Sequence, residues 1–89
     1  MEYRRFGNTI YLRLDPKEEI LEEIGKVAEK ENIRLEQVTG LGAINDFTAG
    51  VYNTVTKEYH SIQFQGAYEI VSLTGTVTRK DGEVYLHLH

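Results

Sequence analysis

Cysteine and tryptophan are absent from this chain, proline and methionine each occur once, and no positive charge excess exists. Each absence excludes something. Without cysteine there is no disulfide framework, no thiolate metal site and no thiol nucleophile. Ten Lys+Arg against fourteen Asp+Glu leave a net charge of −4, the wrong sign for a large phosphate-binding footprint. No apolar run reaches the length of a membrane span, and the opening MEYRRFGNT has two arginines but no apolar core of a signal peptide. These features predict a cytoplasmic protein with no membrane partner. Its 89 residues allow one small domain, which at that size buries only about 60% of the surface its unfolded chain exposes.

What is present divides into one helix and many strands. Residues 15–31 hold seven acids and three bases, a local charge of −4, whereas the remainder is neutral. In that segment Ile20, Leu21, Ile24, Val27 and Ala28 recur with helical spacing. Glu18, Glu19, Glu22, Glu23, Lys26, Glu29 and Lys30 are assigned to the solvated face. Asp15-Pro16 reads as N-cap and first helical residue, with Glu18 completing a capping box and Asn32 closing the helix. The expectation is a helix over about 16–31.

Elsewhere strand formers dominate. Of 89 residues, 22 are Val, Ile or Thr and nine are aromatic. Strands are expected over Asn8 to Leu14, Ile33 to Thr39, Phe47 to Tyr52, Tyr59 to Phe64, Ala67 to Arg79, and Val84 to the end. A loop from Asn53 to Glu58 joins the third and fourth of these, and Asp81-Gly82 is a strong hairpin turn. The fold class is therefore α+β: a curved, mostly antiparallel sheet with one main flanking helix.

Chemistry concentrates at the last strand. His87 and His89 are two apart, so their imidazoles share one face and can reach a single metal ion. With Asp81-Gly82 as a two-residue turn, Lys80 pairs with Glu83, Thr78 with Tyr85, Thr76 with His87, and Thr74 with His89. The reverse face then pairs Val77 with Leu86 and Gly75 with Leu88, with Val71 and Leu73 further along as core. A zinc site usually needs three or more protein ligands, and the third is not evident. His60 lies in another hairpin, Glu69 begins the long strand, and a neighbouring subunit is the remaining source.

Other motifs carry less. Gly40-Leu41-Gly42-Ala43-Ile44-Asn45 follows a strand, but its third glycine is missing and no helix follows, so no dinucleotide site is expected. Ser61 and Ser72 lack the flanking glycines of a nucleophile elbow. Arg4 and Arg5 are too few for a nucleic-acid patch, and the six tyrosines are scattered rather than arrayed for base stacking.

Taken in order, Val38-Thr39-Gly40-Leu41-Gly42-Ala43-Ile44-Asn45-Asp46, Gly50-Val51-Tyr52, Tyr68 to Gly75, Lys80-Asp81-Gly82-Glu83 and Leu86-His87-Leu88-His89 resemble the plants-and-prokaryotes-conserved (PPC) domain. The resemblance runs from about residue 8 to the end. It implies the same α+β fold, assembled as a homo-oligomer, with a trimer favoured. It also brings a DNA-binding label by analogy, although the AT-hook segments of plant members have no counterpart here. Some prokaryotic members are similar to zinc binders, which makes His87 and His89 two metal ligands and zinc the implied cofactor. The third histidine of such members falls in a Gly-Gly-His-Leu segment with no counterpart here. The family's last strands are likewise expected to be missing. A competing reading is a zinc-dependent enzyme, decarboxylase- or hydrolase-like, because the fold is similar to that of acetolactate decarboxylase. In that reading Glu69 or Tyr85 would transfer protons.

Overall fold

A computed structural model describes all of residues 1–89. It contains β1 (Glu2–Phe6), β2 (Thr9–Arg13), α1 (Ile20–Lys30), β3 (Glu36–Asn53), β4 (Glu58–Lys80) and β5 (Glu83–Leu88). β1 and β2 form a two-stranded sheet, and the other three strands form a sheet in the order β3-β4-β5. The fold class is α+β, as the pattern of strand formers around one amphipathic helix requires. No helix is long and apolar enough to cross a membrane. The chain divides into two compact units, one made of Met1–Val38 with Thr74–His89 and the other of Thr39–Leu73.

In the first unit, β1 and β2 pair antiparallel from Glu2 opposite Arg13 to Phe6 opposite Thr9. Gly7, at φ +60°, makes the turn between them. The sequence reading recognised β2 but not β1, whose Glu2, Arg4 and Arg5 hide the strand pattern behind charge.

The helix begins later than its sequence signals suggest. Asp15 and Glu18 do make the expected local contact, the Asp15 N–H donating to Glu18 Oε1 at 2.6 Å. Lys17, however, sits at φ +74°, a left-handed conformation that stops helix propagation. Glu19 caps instead, its carboxylate accepting from the Glu22 N–H at 2.6 Å. At the other end Asn32 closes the helix as expected. Its φ is +52°, and the bonds Asn32 N–H to Glu29 O (3.2 Å) and Ile33 N–H to Ala28 O (2.9 Å) form a Schellman motif.

Val27, Ala28 and Val77 are the buried apolar side chains. α1 lies against β5, so the helix stripe meets the face of the β4–β5 hairpin that carries Val77, Leu86 and Leu88. Two assignments change. Glu23, placed on the solvated face by its charge, is buried and held by the Lys26 ammonium at 3.1 Å. Leu21, on the apolar stripe, is half exposed beside an open groove lined with Gly25, Val84 and Leu86.

Arg79 ties this unit together. Its guanidinium donates to the Ile33 carbonyl at 2.9 Å, the Ala28 carbonyl at 3.3 Å, Glu29 Oε1 at 2.9 Å and the Gly82 carbonyl at 3.3 Å. The Ala28 carbonyl belongs to the last turn of α1, the negative end of the helix dipole, where a cation is favoured. One side chain thus fastens the end of α1 to the β4–β5 turn.

The second unit is a two-stranded ribbon built from the later part of β3 and the earlier part of β4. Its tip is the Asn53 to Glu58 connection that the sequence indicates. There the Asn53 side chain accepts from the Val55 and Thr56 N–H groups at 2.9 and 3.1 Å, an Asx turn. The separate short strands expected on either side of Gly40-Leu41-Gly42, and around residue 66, are continuous in the structure, because glycine tolerates extended and mirror-β geometry without ending a strand. Val71, expected to be core, is 94% exposed. Alternation placed it with Leu73 correctly only if something covered that face.

Candidate metal site on the outer face of the last strand

The site is set by the β4–β5 hairpin. Asp81 at φ +54° and Gly82 at φ +84° supply the two positive φ angles of a type I′ turn. Register follows from the turn: Lys80 opposite Glu83, Thr78 opposite Tyr85, Thr76 opposite His87, Gly75 opposite Leu88. Beyond the last strand residue, Thr74 and His89 exchange both backbone bonds at 2.9 and 2.7 Å. His89 is therefore held like a strand residue.

Alternation does the rest. Val84, Leu86 and Leu88 turn inward and are half buried, while Tyr85, His87 and His89 are exposed. The two imidazoles converge, with Nε2 of His87 and Nε2 of His89 3.0 Å apart and ring centroids 4.9 Å apart at 64°. In the free protein that distance suits a hydrogen bond in which one Nε2–H donates to the other ring's lone pair. It also suits shared coordination. With a metal–nitrogen bond of about 2.05 Å, a 3.0 Å separation subtends about 94° at the ion, and tetrahedral geometry needs only about 0.3 Å more. The donor set fits a first-row divalent metal, and imidazole is a ligand suited to zinc.

Gly75 makes this placement possible. A side chain there would overlap the carbonyl oxygen of His87 and the Cα of Leu88, so the strands approach closely only because residue 75 has no Cβ. The sequence reading placed Gly75 opposite Leu88 but did not see that it governs the histidine strand; the paired register was the available signal. On the same exposed face the Lys80 ammonium stands 5.5 Å from the centre of the Tyr85 ring, a cation–π contact.

The remaining candidates do not join this pair. No group of three His, Cys, Asp or Glu side chains is positioned to hold a metal. His60 pairs instead with Glu58, its Nε2 3.6 Å from Oε2. Glu69 is an exposed residue of the ribbon.

The whole chain, residues 1–89, matches the family described as the Plants and Prokaryotes Conserved (PCC) domain. It belongs to that family. The resemblance read from the glycine-rich and His-x-His segments is therefore correct. No functionally curated protein matches this PCC chain. Among solved structures, it is similar to a candidate DNA-binding protein from Bacteroides thetaiotaomicron, with 30% identity, a TM-score of 0.93, and coverage of 98% of this chain and 61% of that one. It is similar to a metal-containing protein from Archaeoglobus fulgidus, with 30% identity, a TM-score of 0.83, and coverage of 86% and 55%. It is also similar to a plant- and prokaryote-conserved (PPC) protein from Pyrococcus horikoshii, with 35% identity, a TM-score of 0.72, and coverage of 76% and 48%. The chain thus spans between about half and three fifths of the length of these relatives.

Proposed function

We propose that this PCC domain is a metal-binding, self-assembling domain that holds a divalent transition metal, zinc in the first instance, through His87 and His89. The observation that carries the reading is the 3.0 Å approach of two Nε2 atoms on an exposed strand face. The likeness to a metal-containing archaeal protein adds weight. Assembly, with three subunits favoured, rests on the family and on how little apolar surface this chain buries alone: three hydrophobic residues qualify. Two imidazoles leave a zinc ion with free coordination positions, to be filled by solvent, a small molecule or a side chain of a neighbouring subunit.

Those free positions favour a second reading, a zinc-dependent enzyme of decarboxylase or hydrolase type. Bound zinc would supply a Lewis acid for a carbonyl or a water molecule. Tyr85, two residues before His87 on the same face, would hold or pass the proton, as would Glu69 if a neighbouring subunit presented it. DNA binding is the description borne by the Bacteroides relative. Here a net charge of −4 opposes it, and a binder would show affinity for duplex DNA that falls steeply with salt.

Native mass spectrometry of the zinc-loaded chain tests the proposal. The expected species carries about one zinc per subunit, and His87→Ala or His89→Ala removes most of it. A parent protein that takes up no zinc, or variants that keep it, would overturn the metal reading.

A further inference from the structure

His87 and His89 fix one quantity that depends on no further ligand: the angle they subtend at a shared ion. β5 sets it. Residues two apart on a strand project to the same side, and the backbone beneath these two is pinned. Thr74 and His89 exchange bonds at 2.9 and 2.7 Å, and Gly75 lets β4 close on the carbonyl of His87. The two Nε2 atoms then stand 3.0 Å apart.

An ion bonded to both at about 2.05 Å sees them about 94° apart. Neighbouring ligands of a tetragonal or octahedral ion are about 90° apart, and those of a tetrahedral ion about 109°. The pair is therefore about 4° from the first geometry and about 15° from the second. A tetrahedral ion must spread the rings, whereas a tetragonal one takes them as they stand. The surroundings agree. Thr76 faces His87 across the hairpin and Thr74 faces His89, with Tyr85 next along the strand, so the neighbouring donors are hydroxyl oxygens. The chain has no cysteine and its one methionine is Met1, so no sulfur on this face favours a softer ion such as Cu⁺. Imidazole nitrogens completed by oxygen in a tetragonal shell mark Cu²⁺ and Ni²⁺.

We infer that the His87–His89 pair is shaped for a tetragonal divalent ion, Cu²⁺ first and Ni²⁺ second, with tetrahedral zinc a weaker occupant. The inference rests on the metal binding proposed above and names the ion within that class. Zinc has a filled d shell and no geometric preference of its own, so it binds here without gaining from the right-angled pair. Cu²⁺ gains from it, and also stands highest in the general order of divalent affinities. The angle belongs to these two rings and holds whichever donors complete the shell, whether water, a small molecule or another side chain.

The test titrates the protein separately with Cu²⁺, Ni²⁺ and Zn²⁺, and uses Co²⁺ as a spectroscopic probe of geometry. About one copper per chain should bind, more than about tenfold tighter than zinc, a gap of about 1.4 kcal/mol. Its electron paramagnetic resonance should be axial, with splitting from two nitrogens, and bound cobalt should show the weak visible bands of a six-coordinate ion. His87→Ala and His89→Ala, both at exposed positions, should lose the two-nitrogen signal, and His60→Ala, outside the pair, should keep it. Intense visible bands of tetrahedral cobalt, zinc bound as tightly as copper, or a copper signal that survives His87→Ala or disappears in His60→Ala overturns the tetragonal site. Where zinc is still taken up through His87 and His89, the metal-binding proposal stands. A parent that takes up none of the four ions overturns both.

Discussion

Gly75 lies where any side chain would overlap the carbonyl oxygen of His87. The residue without a side chain thus sets the position of the residue with the most chemistry. β4 and β5 close on each other at this point, and that closure fixes the backbone from which His87 and His89 project.

Gly75→Ala should therefore act on the site as well as on stability. The added methyl must push β5 away or twist β4, at a cost of about 2 kcal/mol, typical of overpacking a tight contact. Zinc uptake should fall with it, because two imidazoles held by a displaced strand lose their common focus. Urea denaturation and zinc titration of the same preparation check both. A Gly75→Ala protein with parental midpoint and zinc stoichiometry would show that the strand has room to spare.

Arg79 makes a separate prediction. It gives hydrogen bonds to the Ala28 and Ile33 carbonyls and to Glu29 while only 19% of its side chain is exposed. Arg79→Ala should cost about 2–3 kcal/mol, since charge-assisted bonds contribute more than neutral ones and the carbonyls lose their partner. Arg79→Lys should recover little, because an ammonium cannot reproduce the planar fork. Glu29→Ala should cost well under 1 kcal/mol, its carboxylate being 60% exposed. Chemical denaturation midpoints for the three variants decide the order, and equal losses for Arg79→Ala and Glu29→Ala would contradict the clamp.

These two residues mark where sequence reading stops. The hairpin register around Asp81-Gly82, the paired histidine face and the Asn32 terminus were all legible, because each depends on neighbours in sequence and on strict periodicity. Arg79 was not, since three of its four partners lie some 50 residues away and nothing in a local window distinguishes it from a solvated strand arginine. Glu23 and Lys17 failed for related reasons. Charge suggested exposure for a carboxylate that Lys26 allows to be buried, and a lysine in a left-handed conformation overrode a good Asp-Pro helix start. Val71 shows the other limit: alternation names a face, but not what covers it.

A pH dependence follows from the amino terminus. The Met1 ammonium lies 2.6 Å from Glu18 Oε2 and 3.2 Å from Asp15 Oδ2. The bond to Glu18, ahead of the one to Asp15, holds the amine above its usual 8.0. The same bond, with the Asp15 N–H, holds Glu18 below its usual 4.5. A lowered carboxyl contributes stability that is complete above its unfolded value and is lost as pH falls through the lowered one. A raised amine contributes stability that is complete below its unfolded value and is lost as pH rises through the raised one. Together they give a plateau between about 4.5 and 8.0 with a decline on either side. Glu18→Gln should lower the urea midpoint on the plateau and bring the variant towards the parent at both extremes, where the parent's pair is already broken. The effect is small, because the pair, with side chains 15% and 24% exposed, still lies at the surface within reach of salt. Midpoints at pH 3, 6.5 and 10 in low salt test it, and a parent–variant gap of the same size at all three would place the stabilisation elsewhere.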